Sequence, residues 1–143
     1  MTSAVGKIGS RIANDKEVFM LNQVNPIPTI GVKNIQVAKE FYESKLGLLP
    51  EGETDGMVQM YKSGKGQVEI YQSDFAGTNQ STSVTWTVGG ELEKEVASLK
   101  SKGIEFEHYQ IPESKLEGDI HVLNGMKAAW FKDPDGNILC LHG

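Results

Sequence analysis

One strand–helix pattern occurs twice in this chain, and the second copy begins 56 positions after the first. Thr29–Val32 has the composition of a short strand, and the helix that follows ends at Gly47. Thr85–Val88 and a helix that ends at Gly103 repeat these features at the same distance. Apolar residues at helical spacing predict the buried face of each helix: Ile35, Ala38, Phe41, Tyr42 and Leu46 in the first, Leu92, Val96 and Leu99 in the second. A repeat of this length indicates two copies of one supersecondary unit.

Each helix is followed by three short apolar runs that are typical of strands. In the first copy they are about Leu49–Glu53, Met57–Lys62 and Gln67–Ser73, and in the second Glu105–Ile111, Met126–Lys132 and Asn137–His142. The order is therefore βαβββ, twice. It predicts an α+β fold in which two βαβββ modules form a cup-shaped, curled mixed sheet with helices on the outside.

These elements divide the chain into an arm and a single domain. Residues 1–25 are predicted as a flexible N-terminal arm without a chemical role, and residues 26–143 as the domain. Module one covers 27–75 and module two covers 82–142, with an extra loop at 112–125 that has no counterpart in module one.

A turn at Asp133–Asn137 joins the last two predicted strands. Counting outward from its first four residues pairs Lys132 with Asn137, Phe131 with Ile138, Trp130 with Leu139 and Ala129 with Cys140. This register places Trp130 on the helix side of the sheet and Phe131 in the cup. Trp86 is also predicted on the helix side, since the threonines on either side of it would face inward.

The composition disfavours several classes of partner. With 14 basic and 19 acidic residues the net charge is -5, which argues against nucleic acid. No run approaches the roughly 18 apolar residues of a membrane span, and the N-terminus lacks the apolar core of a secretory signal. Cys140 is the one cysteine, so no intrachain disulfide can form. We expect a cytoplasmic protein that binds neither nucleic acid nor a membrane.

In its motifs and their spacing, the chain resembles the vicinal oxygen chelate superfamily, which includes glyoxalase I, bleomycin-resistance proteins, fosfomycin-resistance enzymes and extradiol dioxygenases. The resemblance rests on the repeat and on three motifs: Val32-Lys33-Asn34, Phe41-Tyr42 with Leu46-Gly47-Leu48, and Phe131-Lys132-Asp133-Pro134-Asp135-Gly136-Asn137. It covers residues 27–142. The resemblance implies the cup-shaped fold but not one activity, because the same scaffold serves lyases, transferases, oxygenases and binding proteins.

The metal-dependent members hold a divalent ion in the cup through four side chains, typically His or Gln, Glu, His and Glu. The resemblance assigns these positions to Ile27, Glu69, Ser83 and Cys140. Ile27 has no donor atom, and a serine hydroxyl is a poor ligand for these metals. We therefore expect no metal cofactor.

Strand alternation and the resemblance together predict a cup lined by eight residues: Thr29, Glu69, Tyr71, Ser83, Thr85, Phe131, Cys140 and His142. Glu69 is the one fixed charge among them. The expected partner is a small organic molecule with an apolar body and a cationic group. The leading hypothesis is a glyoxalase/bleomycin-resistance-like protein that binds this molecule without metal.

Several alternatives remain open at this point. The chain could be a divalent-metal-dependent lyase or dioxygenase in which non-standard ligands join Glu69, which would then be its catalytic residue. It could also be a scaffold protein with an empty cup. His121 lies in the extra loop, which could fold over the cup as a lid, although a surface position is the more frequent outcome. A homodimer is expected because short curled sheets leave strand edges unpaired, and the modules could pair within one chain or between two.

Overall fold

The computed structural model of the protein describes residues 18–52 and 56–143. Residues 1–17 of the predicted arm and the predicted strand end at Glu53 therefore lie outside the described residues. The described part of the arm contains one short 3-10 helical turn, Leu21–Gln23. Its apolar side chains, Val18 and Leu21 among them, are exposed.

The first module forms a four-stranded sheet in the order β1-β4-β3-β2. β1 is parallel to β4, and the other neighbours are antiparallel. The strands are β1 Thr29–Val32, β2 Leu49–Glu51, β3 Val58–Ser63 and β4 Gly66–Gln72. They lie where the sequence predicts them, which confirms the βαβββ order of module one.

The helix of module one has a capped N-terminus and changes from an α-helix to a π-helix along its length. Asn34 Oδ1 accepts hydrogen bonds from the backbone N–H groups of Gln36 and Val37 at 2.9 and 3.1 Å, and such a cap stabilises a helix by about 1 kcal/mol. α1 Ile35–Lys39 continues as a π-helical turn over Glu40–Lys45. The predicted helical face is confirmed, since Ile35, Ala38, Phe41 and Tyr42 are all buried.

The second module forms a larger sheet in the order β5-β10-β9-β8-β7, and β6 also pairs with β9. β5 is parallel to β10. A 3-10 turn at Gly89–Glu91 leads into the helix of this module. The elements are β5 Thr82–Thr87, α2 Leu92–Ser101, β6 Phe106–Glu107, β7 Lys115–Glu117, β8 Ile120–Leu123, β9 Met126–Lys132 and β10 Ile138–His142.

The prediction of a loop over 112–125 is wrong, because this segment forms the β7–β8 hairpin and extends the second sheet. Asn124 and Gly125 both have positive φ, at 50° and 81°, and join β8 to β9 as a two-residue turn. Asn-Gly between apolar runs is a strong hairpin signal. His121 consequently lies on a strand and is buried, instead of forming part of a lid.

The predicted β9–β10 register is also wrong, by one residue. Lys132 pairs with Ile138 and Phe131 with Leu139, so the connecting loop has five residues, Asp133–Asn137. Asp133 causes the difference, since its Oδ1 accepts hydrogen bonds from the backbone N–H groups of both Asp135 and Asn137 at 2.9 Å. A one-residue shift reverses the faces of a strand. Phe131 accordingly lies in the helix-side core at 0% exposure, and Trp130 lies on the opposite face.

The two modules contact each other within one chain. Asn137 Nδ2 donates to the Gly31 carbonyl at 2.8 Å, and the Lys33 N–H donates to Asp135 Oδ2 at 3.1 Å. Trp86 packs against the core on the helix side, as predicted, and its Nε1 donates to Ser63 Oγ of the other module at 3.0 Å. Helix-side residues of both sheets form one apolar core, which leaves the opposite face of each sheet open.

Within the described ranges, no helix has the length and apolar character needed to cross a membrane.

Candidate functional site

The open face of the first sheet carries Thr29, Glu69 and Tyr71. Thr29 is the cross-strand partner of Glu69, and Gly31 is the partner of Tyr71. Ile30, Val32, Val68 and Ile70 point the other way into the core. Alternation therefore places these three side chains as predicted, on the face away from the helix.

Glu69 is a half-buried carboxylate with few partners. The Thr29 hydroxyl donates to the Ile27 carbonyl at 3.0 Å and lies 3.5 Å from Glu69 Oε1, at the outer limit of a hydrogen bond. Among the described residues no Lys, Arg or His forms a salt bridge with Glu69. An ionised carboxylate can accept about four hydrogen bonds, so most of this capacity is free for a ligand.

The residues directly opposite Glu69 and Tyr71 on β3 are apolar. Met60 lies opposite Glu69, and Val58 lies opposite Tyr71. Tyr71 is 40% exposed, which leaves its ring accessible beside the carboxylate. This arrangement can bind a cation both through the carboxylate and through the face of an aromatic ring.

The open face of the second sheet carries residues at positions equivalent to those of Thr29 and Glu69 on the first sheet. Cys140 pairs with Thr85 in a parallel register, as Glu69 pairs with Thr29, so the 56-residue repeat extends to the site. Trp130 is the antiparallel partner of Cys140, and His142 lies two residues further along β10. Ser83 lies at the point where the β5–β10 register shifts, and it therefore has no cross-strand partner on β10.

Cys140 is a buried thiol, at 5% exposure. Burial raises the pKa of this thiol, and a hydrogen bond with the Thr85 side chain offsets the increase in part. In the metal-free protein Cys140 is therefore protonated at neutral pH, which makes it a poor nucleophile. Its Sγ donates to the Leu141 carbonyl at 3.5 Å.

The four residues at the superfamily's metal positions do not form a suitable set of donors. Ile27 is apolar and has no donor atom, Ser83 offers a neutral hydroxyl, and Glu69 is the one carboxylate among the four. In residues 18–52 and 56–143, no three His, Cys, Asp or Glu side chains lie close enough together to hold a metal ion. The donors present do not fit a divalent ion.

An aromatic cluster that the sequence analysis missed covers part of the second open face. Tyr109 and His121 are stacked, with ring centroids 6.0 Å apart, and Trp130 meets both rings edge-on at 5.5 and 4.9 Å. His121 Nε2 accepts a hydrogen bond from the Tyr109 backbone N–H at 2.9 Å. The Asn124-Gly125 pair in the sequence could have predicted this cluster, because a two-residue hairpin turn there fixes the β8–β9 register that places His121 beside Trp130.

A groove of about 390 Å³ runs beside this cluster. Its walls come from β9, β10, β5 with the two residues before it, and the segment after β6: Gln80, Ser81, Thr82, Tyr109, Ile111, Trp130 and Ile138. The volume lies within the roughly 300–1,000 Å³ of small-molecule sites. A smaller cleft of about 180 Å³ lies between the modules on the helix side, where Leu46, Trp86 and Leu99 contribute to its lining.

The predicted lining residues are thus divided between two faces. Thr29, Glu69 and Tyr71 lie on the first sheet, and Thr85, Cys140 and His142 lie on the second. Phe131 does not belong to either open face, because it is fully buried against Phe106, with ring centroids 5.5 Å apart. Trp130 takes the position that had been predicted for Phe131.

Comparison with solved structures gives the same fold. A glyoxalase family protein from Enterococcus faecalis matches with a TM-score of 0.65 and 26% identity, covering 87% of this chain and 100% of that one. The fosfomycin resistance protein FosX from Listeria monocytogenes, in complex with Mn(II) and sulfate, has a TM-score of 0.63 and 14% identity, with 87% and 91% covered. Lactoylglutathione lyase from Agrobacterium tumefaciens has a TM-score of 0.60 and 15% identity, with 80% and 88% covered.

Sequence comparison identifies the family. No curated protein matches the sequence. The family profile, in contrast, matches residues 21–141, which is nearly the whole of the repeat-containing domain and confirms the resemblance seen in the motifs. The chain belongs to the Glyoxalase/Bleomycin resistance protein/Dioxygenase superfamily.

Proposed function

We propose that this chain binds a small organic cation on the open faces of its sheets and does so without a metal ion. Glu69 is the charged anchor, and Tyr71 provides an adjacent aromatic surface. Thr29, Thr85 and His142 complete the lining, and Cys140 lies buried on the same face of β10 as His142.

The proposal rests on one observation: Glu69 is a partly buried carboxylate without a close hydrogen-bond donor or a salt bridge. Its carboxylate is half-buried on an open sheet face, the nearest hydroxyl lies 3.5 Å away, and no described Lys, Arg or His forms a salt bridge with it. A carboxylate in such surroundings gains most from a ligand that brings both positive charge and hydrogen-bond donors.

The donor chemistry supports binding without metal. Of the four superfamily metal positions, Ile27 has no donor atom and Ser83 offers a neutral hydroxyl, which leaves only Glu69 and Cys140 as possible ligands. A cationic ligand needs only the carboxylate and the ring, which both lie on the first sheet.

We further propose that a second copy of the chain completes the site. β1 and β5 are edge strands of their sheets, so each carries unpaired backbone groups beside an open face. Thr29, Tyr71, Thr85 and Thr87 are exposed on these faces. A C2 pairing would cover both edges and enclose the ligand. Light scattering should therefore give twice the 15.7 kDa chain mass, and a mass of one chain at micromolar concentration would refute this pairing.

Calorimetric titration with benzylammonium tests the charge anchor. Glu69→Gln keeps the shape of the side chain but removes its charge, and a charge-assisted hydrogen bond contributes about 1.5–3 kcal/mol. Affinity should fall by about tenfold to a hundredfold. Glu105→Gln, which neutralises an exposed carboxylate of module two, is the matched control and should bind like the unmodified protein. Equal affinity in all three proteins would refute the role of Glu69.

A further inference from the structure

The cleft between the two modules on the helix side is a concave surface separate from the open sheet faces. Its volume is about 180 Å³, and both modules contribute to its walls. The lining residues are mainly apolar or aromatic: Leu46, Leu48, Ser63, Trp86, Val88, Glu95, Leu99, Phe131 and Leu141. A bound molecule would therefore contact both modules and be removed from water mostly by hydrocarbon surface.

The accessible part of this cleft consists of the lining residues that are half-buried: Leu46, Ser63, Trp86, Val88 and Glu95. The remaining lining residues are buried and belong to the core beneath the cleft. The Trp86 indole is held in place, because its Nε1 donates to Ser63 Oγ at 3.0 Å. One wall of the cleft is thus fixed by a hydrogen bond that joins the modules.

Glu95 is the one charged residue in the lining of the cleft. It lies in the first turn of α2 and four residues before Leu99, so the two side chains share one face of the helix. The first turn of a helix is a favourable position for a negative charge. The cleft therefore combines apolar walls with a single carboxylate.

The lysines near this carboxylate are engaged elsewhere. In the part of the chain that the structure describes, no Lys, Arg or His forms a salt bridge with Glu95. The lysines in and directly after α2 have other partners: Lys94 contacts Glu91, Lys100 contacts Asp119, and Lys102 donates to the Lys45 carbonyl. A half-buried carboxylate beside apolar walls gains most from a ligand that brings a positive charge.

The size of the cleft limits the apolar part of such a ligand. An apolar cavity of about 150 Å³ holds one molecule of the size of benzene. At about 180 Å³ this cleft is only slightly larger. It can enclose a hydrocarbon group of about five or six carbon atoms, and the branched side chains of Leu46 and Val88 favour a compact aliphatic one.

We propose that the cleft between the modules is a second binding site, for a small aliphatic ammonium ion. The ammonium group contacts Glu95, and the hydrocarbon chain lies against Leu46, Trp86 and Val88. This site goes beyond the proposed function, because it lies on the helix side and uses neither Glu69 nor any other residue of the open faces.

Isopentylammonium is the probe for this site, and isopentyl alcohol is its uncharged match. In Trp130→Phe the remaining tryptophan is Trp86, so its fluorescence reports binding in the cleft. Calorimetry on the unmodified protein provides a second measurement that needs no substitution. We expect a saturable change in Trp86 emission, with affinity for the ammonium ion at least about fivefold above that for the alcohol.

Glu95→Gln tests the named charge, since it keeps the length of the side chain and removes the carboxylate. It should weaken isopentylammonium binding by about fivefold or more and leave binding of the alcohol unchanged. Glu93→Gln is the matched control on the same helix, because the Glu93 carboxylate contacts Lys127 Nζ at 3.1 Å instead of lining the cleft. Unchanged Trp86 emission, equal affinity for both probes, or equal affinity in Glu95→Gln and the unmodified protein would each overturn the site.

Glu69→Gln separates this site from the proposed function. Isopentylammonium binding reported by Trp86 should be the same with and without this substitution. If benzylammonium binding is unchanged in Glu69→Gln while Glu95→Gln weakens isopentylammonium binding, the proposed function fails and the cleft is supported. If Glu69→Gln weakens the binding of both ions while Glu95→Gln changes neither, the cleft is refuted and the charge anchor is supported.

Discussion

The Tyr42 hydroxyl donates a 2.7 Å hydrogen bond to Oδ2 of Asp133, a residue 91 positions later in the chain. Both residues are buried, and Asp133 also accepts from Asn137 Nδ2 at 2.8 Å. This contact fixes the β9–β10 turn against the helix of module one. It is one of several contacts that hold the two modules together, with the Asn137–Gly31 and Trp86–Ser63 hydrogen bonds.

Tyr42→Phe should destabilise the protein by about 1.5–3 kcal/mol, because the buried Asp133 carboxylate loses a donor that water cannot replace. Urea unfolding measures this as a lower midpoint. Tyr71→Phe removes the hydroxyl of a half-exposed tyrosine and should change the stability by less than about 0.5 kcal/mol. Equal effects of the two substitutions would contradict the importance of the Tyr42–Asp133 contact.

Gly77→Ala should be among the most destabilising alanine substitutions. A Cβ at Gly77 would lie 1.9 Å from the Asp135 carbonyl oxygen, and the backbone has a φ of 74°. Gly103→Ala is the control, since Gly103 has a φ of 90° but no atom within 4 Å of the added carbon. Both carry left-handed strain of about 1–2 kcal/mol, whereas Gly77→Ala adds about 1–3 kcal/mol for the clash. Similar unfolding free energies for the two variants would show that the β9–β10 turn does not pack against Gly77.

Tyr109→Phe should stabilise the ligand-free protein, by about 1 kcal/mol, because it removes a buried hydroxyl that has no partner. Thermal or urea unfolding in the absence of ligand measures the gain. Loss of stability would instead show that the hydroxyl has a hydrogen-bond partner in solution.

The Cys140 thiol makes stability depend on pH in the alkaline range. Its folded-state pKa lies above the ordinary thiol value, so the native state retains this proton more strongly than the unfolded state. The stability that the buried thiol contributes is fully present below the ordinary thiol pKa, and it is lost as pH rises through the folded-state pKa. Denaturant unfolding across this range should show a steeper loss of stability in the unmodified protein than in Cys140→Ala. Parallel curves would contradict the burial of the thiol.

The fold could be predicted because the 56-residue repeat, helical spacing and strand alternation all indicate the same βαβββ unit. Most of the open-face residues followed from alternation alone. Thr29, Glu69 and Tyr71 could be placed because their strand is regular and its neighbours Val68 and Ile70 are strongly apolar.

The errors come from one turn and one short hairpin. The register was predicted from a four-residue turn, Asp133–Gly136, whereas the Asp133 side chain stabilises a five-residue loop that includes Asn137. The Asn137 side chain also donates to the Gly31 carbonyl of the other module. That long-range contact has no local signal. The Asn124-Gly125 turn did carry a local signal, and a hairpin there would have placed His121 beside Trp130.

The claim of metal-free recognition through Glu69 is tested most directly by one paired titration. Protein treated with a chelator, with metal content measured by elemental analysis, is titrated with benzylammonium in the unmodified and Glu69→Gln forms. We predict less than a stoichiometric amount of zinc, nickel, manganese or iron, saturable binding by the unmodified protein, and affinity about tenfold or more lower in Glu69→Gln. About one bound metal per chain that is lost with Glu69→Ala, or binding that returns only when a divalent ion is added, would contradict the account.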